Sequence, residues 1–145
     1  MDLYCGAGTI GLCVASESDK LCGVEIIADA VENAKKNALL NGRSSDDTLF
    51  VCGDASVGVE ECKKTFGNPD VIIVDPPRKG LEKSVIETVV KSQVKQVVYI
   101  SCDPATLARD CAMFAQFGYV ATEATPFDLF PRTGHVETIV CLDKQ

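Results

Sequence analysis

This sequence predicts an α/β fold: a doubly wound, mostly parallel seven-stranded sheet whose last strand runs antiparallel. Three observations carry the prediction. Short apolar runs alternate five times with helical stretches, the rhythm of a parallel sheet covered by helices on both faces. The run Val71-Ile72-Ile73-Val74 is apolar throughout, as a strand buried on both faces should be. The chain then closes on two strand-like segments with no helix between them, so the second doubles back as in a hairpin.

Each element has its own signal. The first strand, Asp2 to Tyr4, is short and runs into a glycine-rich turn. A helix follows from Thr9 to Ser16. Leu21-Cys22-Gly23-Val24-Glu25 is the second strand and ends in an acid. A helix spans Ala28 to Leu40, with Val31, Ala34 and Ala38 near helical spacing and Asn41-Gly42 as its stop. The third strand, Thr48 to Cys52, leads through Gly53-Asp54 to a weaker helix, Val57 to Lys64. The fourth strand ends in Asp75-Pro76-Pro77-Arg78, and a helix covers Glu82 to Lys91. The fifth strand, Gln96 to Ile100, ends in Ser101-Cys102-Asp103-Pro104. Pro104 suits the first turn of a helix that continues from Ala105 to Phe117. A strand from Tyr119 to Thr125, a loop from Pro126 to Gly134 and a strand from His135 to Leu142 complete the chain.

Bulk properties narrow the function. A chain of 145 residues is one domain, long enough to bury a core. No apolar run is long enough to span a membrane and no signal peptide is evident, which points to an intracellular, cytoplasmic protein without a membrane partner. The net charge of −7 argues against this domain gripping a nucleic acid by itself, because neutralising phosphate takes Lys and Arg. Opening inside a strand, the chain is expected to continue upstream, where a basic region would hold such a partner. Eight cysteines in this setting are expected to be mainly packing residues rather than disulfides. No C-x-x-C pair occurs, so no metal is expected.

In a sheet of this kind, ligands bind outside the carboxyl ends of the strands. The chemistry-bearing residues fall there. Gly6, Gly8 and Gly11 fit G-x-G-x-x-G, a turn that brings backbone close to a nucleotide-like cofactor ahead of a helix N-terminus. Glu25 is placed to accept from two ribose hydroxyls, or is a solvated loop acid. Asp54 either meets an adenine amine or caps the helix after it. Asp75 sits on a turn stiffened by two prolines, near a reacting centre or merely in a rigid loop. Cys102 precedes a helix whose positive end favours thiolate; the alternative is a buried structural thiol. Asp103 opposes the thiolate unless it serves as the helix cap. His135 and Glu137 flank Val136, and strand alternation would aim both at one face. The fingerprint with Glu25 alone also fits an NAD-binding dehydrogenase domain, and a scaffold without catalysis is a further alternative.

Four stretches together decide between these readings. Asp2-Leu3-Tyr4-Cys5-Gly6-Ala7-Gly8-Thr9, Asp75-Pro76-Pro77-Arg78-Lys79-Gly80, Ser101-Cys102-Asp103-Pro104-Ala105-Thr106-Leu107-Ala108-Arg109-Asp110 and His135-Val136-Glu137 resemble, in order, the motifs of the RNA uridine-C5 methyltransferases. The resemblance covers the chain from end to end. It implies the Rossmann-like class I methyltransferase fold, S-adenosyl-L-methionine as cofactor and a uridine of tRNA or rRNA as target. It implies Cys102 as nucleophile and Glu137 as base, with Tyr4, Gly6, Gly8, Thr9, Glu25, Asp54 and Asp75 lining the cofactor site. It also implies that RNA is bound mainly by an upstream region, so the chain alone would be weak or inactive. Some relatives carry an iron–sulfur cluster upstream, for which no cysteine cluster is present here. RNA cytosine-C5 methyltransferases carry a second cysteine where Asp75 stands, and amino-group methyltransferases an aromatic where Arg78 stands. Arg78 and Arg109 either contact RNA phosphate or are surface charges, and the surface reading is preferred.

Overall fold

The computed structural model of the chain describes residues 1–129 and 131–145. In order, its elements are β1 (Asp2–Leu3), α1 (Thr9–Val14), β2 (Leu21–Glu25), α2 (Ala28–Leu40), β3 (Thr48–Cys52), α3 (Ala55–Phe66), β4 (Val71–Val74), α4 (Lys83–Lys91), β5 (Gln96–Ser101), α5 (Pro104–Ala115), β6 (Tyr119–Phe127) and β7 (Glu137–Lys144). Among the described residues the seven strands form a mostly parallel sheet in which β7 runs antiparallel, with helices alternating along the chain. Two compact units divide the chain, Met1–Pro69 and Asp70–Gln145.

In the first unit the strand order is β3-β2-β1, all parallel. Leu3 lies opposite Val24, and Glu25 opposite Cys52. Val31, Ala34 and Ala38 of α2 pack with Phe50, Leu21 and Cys5, as the helical spacing predicts. Gly58 lets α3 lie directly on β2, since a Cβ there would overlap the methyl carbons of Val24.

In the second unit the order is β4-β5-β7-β6, with β4 parallel to β5 and β7 antiparallel to both β5 and β6. A register shift between Ala121 and Glu123 interrupts the β6–β7 ladder. Ile72, Val74, Val97 and Tyr99 are wholly buried, with Ile86, Val89 and Phe114 from the helices. Phe114 meets Tyr119 edge-on at 5.7 Å, and the Tyr119 hydroxyl donates to the Val94 carbonyl at 2.7 Å.

Several boundaries differ from the sequence reading. β1 stops at Leu3 because Tyr4 turns left-handed at φ 64°. α1 ends at Val14, where Ala15 becomes extended and its N–H donates back to Gly11. α3 starts two residues earlier than expected because Asp54 caps it. β7 begins at Glu137 rather than His135, so strand alternation does not govern His135. The 126–134 loop expectation includes Phe130, which lies outside the described residues.

The cysteine expectation also needs correction. Cys22 of β2 and Cys62 of α3, both buried, form a disulfide with Cα atoms 6.0 Å apart, within the usual range for a bridge. The close β2–α3 approach brings them together. Cys13 and Cys52 are exposed and so are not packing residues.

Candidate active site

In the first unit, the predicted residues gather at the carboxyl ends of β1, β2 and β3. Gly6 and Gly8 both take positive φ, 53° and 79°. A side chain at Gly8 would be strained and would press on Phe50 and Ala34, so the turn sits tight on the core. Nothing lies within 4 Å of where a Cβ on Gly6 would be. Glu25 binds this turn directly: Oε2 accepts from the Gly6 N–H at 3.0 Å and Oε1 from the Ile27 N–H at 3.0 Å. It is therefore neither a loose loop acid nor saturated, since a carboxylate offers about four acceptor sites. Thr9 is exposed at the start of α1, and Tyr4 is half-buried.

Asp54 lies two residues beyond Cys52, which pairs with Glu25. Oδ1 accepts from the Ser56 N–H at 2.8 Å and the Val57 N–H at 3.1 Å, so the capping reading holds. The Ser56 hydroxyl and these amides hold its carboxyl below the usual carboxylate range. None of these bonds uses Oδ2.

In the second unit, register assembles the other group. Val74 pairs with Tyr99, which sets Asp75 just beyond β4 near the end of β5. Ser101 pairs with Thr138. Cys102 directly follows Ser101 and Glu137 directly precedes Thr138, so both lie at that end of the β5–β7 ladder. Asp75 senses this arrangement: burial, and next the charge of Glu137, raise its pKa above the ordinary 3.8.

Cys102 itself is braced. The Ser101 hydroxyl donates to the Asp103 carbonyl at 3.0 Å and accepts from the Asp103 N–H at 3.1 Å, closing a loop around it. The Asp103 carboxylate caps α5, accepting from Ala105 and Thr106 N–H groups at 2.9 and 3.0 Å. The Thr106 amide, chiefly, keeps that carboxyl below its usual range. Cys102 remains a free, partly accessible thiol two residues before the positive end of α5. Burial, with Asp2 and Glu25, pushes the Cys5 thiol up to about 12, and burial first of all raises Cys111 and Cys141.

Arg78 is exposed and reaches His135, Nη2 to Nε2, at 3.3 Å. His135 is thus engaged by Arg78, just outside β7. Arg109 corrects the expectation of a plain surface charge, because its guanidinium is bound by Asp110 and by loop carbonyls. Sequence reading missed Ser101 and Asp110. The signal for Asp110 was present: it shares the i, i+3, i+7 face of α5 with Leu107 and Phe114, where a buried acid needs partners. Among the described residues no group of His, Cys, Asp and Glu could hold a metal ion, and no helix is long and apolar enough to cross a membrane.

Residues 61–145 match the family model described as tRNA (uracil-5-)-methyltransferase, and residues 1–98 match that of the methyltransferase small domain. An uncharacterized RNA methyltransferase of Clostridium acetobutylicum is 46% identical over 143 residues, 99% of this chain and 31% of the relative. One from Enterococcus faecalis is 42% identical over 144 residues, with the same coverage of 99% and 31%. The chain spans about a third (31%) of the length of these curated relatives. The Pyrococcus abyssi tRNA (uracil-54, C5)-methyltransferase, solved in complex with S-adenosyl-L-homocysteine, matches with a TM-score of 0.82 at 30% identity, over 97% of this chain and 33% of that one. A putative tRNA (m1A22) methyltransferase of Streptococcus pneumoniae shares the fold alone, with a TM-score of 0.72 at 10% identity, over 99% of this chain and 62% of that one.

Proposed function

Because the chain belongs to the tRNA (uracil-5-)-methyltransferase family, we propose that it methylates C5 of a uridine in tRNA or rRNA, with S-adenosyl-L-methionine as methyl donor. The observation that supports this reading is the β5–β7 register, whose last pair, Ser101 with Thr138, leaves Cys102 and Glu137 as the next residues at the end of the ladder where β4 also ends.

The first unit fits the adenosine part of the cofactor. Open space over Gly6 admits a ligand against the backbone. Glu25, fixed by two amides, keeps acceptor sites for ribose hydroxyls. Asp54 has Oδ2 for an exocyclic amine, and Tyr4, Gly8 and Thr9 shape the turn beside it. In the second unit Asp75 keeps the cofactor role that the family resemblance gives it. The bound cofactor supplies an electrophilic methyl group.

C5 of uracil is too weak a nucleophile to take that methyl unaided. The Cys102 thiolate adds to C6, forming an S–C6 bond and moving the C5–C6 electron pair into an enolate. C5 then takes the methyl. Glu137 accepts the C5 proton, the C5–C6 double bond returns and Cys102 leaves as thiolate. The target base must first leave its stack, which costs roughly a few kcal/mol.

The test uses full-length protein, unmodified tRNA and rRNA transcripts, and donor labelled in its methyl group. Wild type is expected to yield 5-methyluridine. Cys102→Ala abolishes turnover, whereas Glu137→Gln slows it by about 10²–10⁴-fold and accumulates a protein–RNA adduct that survives denaturation. Undiminished turnover by Cys102→Ala would overturn the covalent reading.

A further inference from the structure

The loop after β4 is fastened to α5 by side chains that the proposed chemistry does not use. Asp110 is fully buried on α5. Its Oδ2 accepts from the Tyr99 hydroxyl at 2.6 Å and from the Leu81 N–H at 2.7 Å. Its Oδ1 accepts from Arg109 Nε at 2.8 Å. Arg109 Nη2 pairs with the same Oδ1 at 2.7 Å and donates to the carbonyls of Lys79 and Leu81, at 2.9 and 3.3 Å. One turn earlier, the Thr106 hydroxyl lies between the Arg78 carbonyl at 3.2 Å and the Asp103 carbonyl at 3.1 Å and shares its proton between them.

Gly80 lies inside this grip. Its φ is +74°, and a Cβ there would come within 2.5 Å of Asp110 Oδ2 and 2.6 Å of Arg109 Nη2. Arg78, Lys79 and Leu81 are thus held by three side chains of one helix, with Gly80 pressed between them. That helix starts two residues after Cys102, and Arg78 reaches His135, two residues before Glu137.

We propose that Arg109 is a positioning residue: locked by Asp110, its guanidinium clamps the 78–81 loop onto α5 and so keeps Arg78 in register with Cys102 and Glu137. What the clamp positions rests on the uridine-C5 reading; the clamp itself rests on the hydrogen-bond geometry. A planar fork is what this task requires, because one group must serve a carboxylate and two carbonyls at fixed angles. Lysine keeps the charge beside Asp110 and lacks the fork.

The experiment compares Arg109→Lys with Tyr99→Phe in the full-length protein. Tyr99→Phe loses a bond to the same buried carboxylate and leaves the bonds of Arg109 to the Lys79 and Leu81 carbonyls in place. Amide hydrogen exchange is read at Gly80, whose N–H donates to the Pro77 carbonyl rather than to Asp110, S-adenosylhomocysteine affinity by calorimetry, and single-turnover methylation on an unmodified tRNA or rRNA transcript. In Arg109→Lys, loop exchange is expected to quicken and methyl transfer to fall about tenfold or more, the scale of a small misplacement, with cofactor affinity unchanged. Tyr99→Phe is expected to lower the melting temperature and leave loop exchange and transfer alone. Thr106→Val, which spares the buried pair, gives the Arg109→Lys pattern at smaller size.

Unchanged loop exchange in Arg109→Lys overturns the clamp. Equal losses of transfer in Arg109→Lys and Tyr99→Phe overturn the positioning role. If wild type itself fails to methylate uridine, the C5 reading falls. The clamp is then upheld by faster loop exchange confined to Arg109→Lys and Thr106→Val, and overturned by its absence.

Discussion

Asp75 shows how much one side chain's surroundings decide. Burial and the charge of Glu137 raise its pKa above the ordinary 3.8, so the folded chain holds this proton more tightly than the unfolded chain does. The stability linked to it is fully present below that ordinary value and is lost as pH rises through the folded one. Asp75→Asn carries no such loss. Its melting temperature is expected to rise relative to wild type on going from about pH 4 to pH 7. A difference that stays flat across that range would count against the raised pKa and the burial that chiefly causes it. Residue identities at strand ends were legible in the sequence because a doubly wound fold sends them all to one edge. Their partners were not. Glu25 bonds across 19 residues to Gly6, and Asp110 across 29 to Leu81, separations that no local pattern encodes.

Among the elements, those fixed by local signals came out as read. α2 runs from Ala28 to Leu40 between its expected limits, and β4 is the four-residue apolar run itself. Elements set by tertiary partners shifted. β7 starts later and runs on to Lys144, because β5 and β6 flank it and residues such as Gln96 and Asp143 pair there. The β2–α3 contact is another case, since nothing near Gly58 in sequence announces Val24. Gly58→Ala is expected to cost about 1–3 kcal/mol by overpacking. In a Val24→Ala background the penalty should shrink, because the overlapping methyls are gone. Urea unfolding of the two single variants and the double variant measures this. Strict additivity would mean that α3 does not rest on Val24.

For the whole molecule, charge sets the expectation. The chain carries −7, and its relatives are about three times as long, since it covers 31% of them. RNA is held largely through phosphate neutralisation by Lys and Arg, which this chain has in the minority. The 145-residue chain alone is expected to retain tRNA poorly on filters at physiological salt and to methylate it feebly. Tight, salt-resistant binding by the chain alone would contradict this. The family motifs were legible because chemistry confines them to a few residue types. The cysteine bridge was not, because pairing Cys22 with Cys62 depends on two elements meeting across 40 residues.

One further consequence lies at the rim of the second unit. β6 ends that unit's strand order, and most of its residues face solvent. An open strand invites a foreign strand to add on, and from there chains can accumulate into aggregates. The slip between Ala121 and Glu123 bends this border out of plane, Glu123 adds charge and Pro126 withholds an amide proton. The irregularity in the ladder thus works as a stop, letting a crowded solution of these molecules remain a solution.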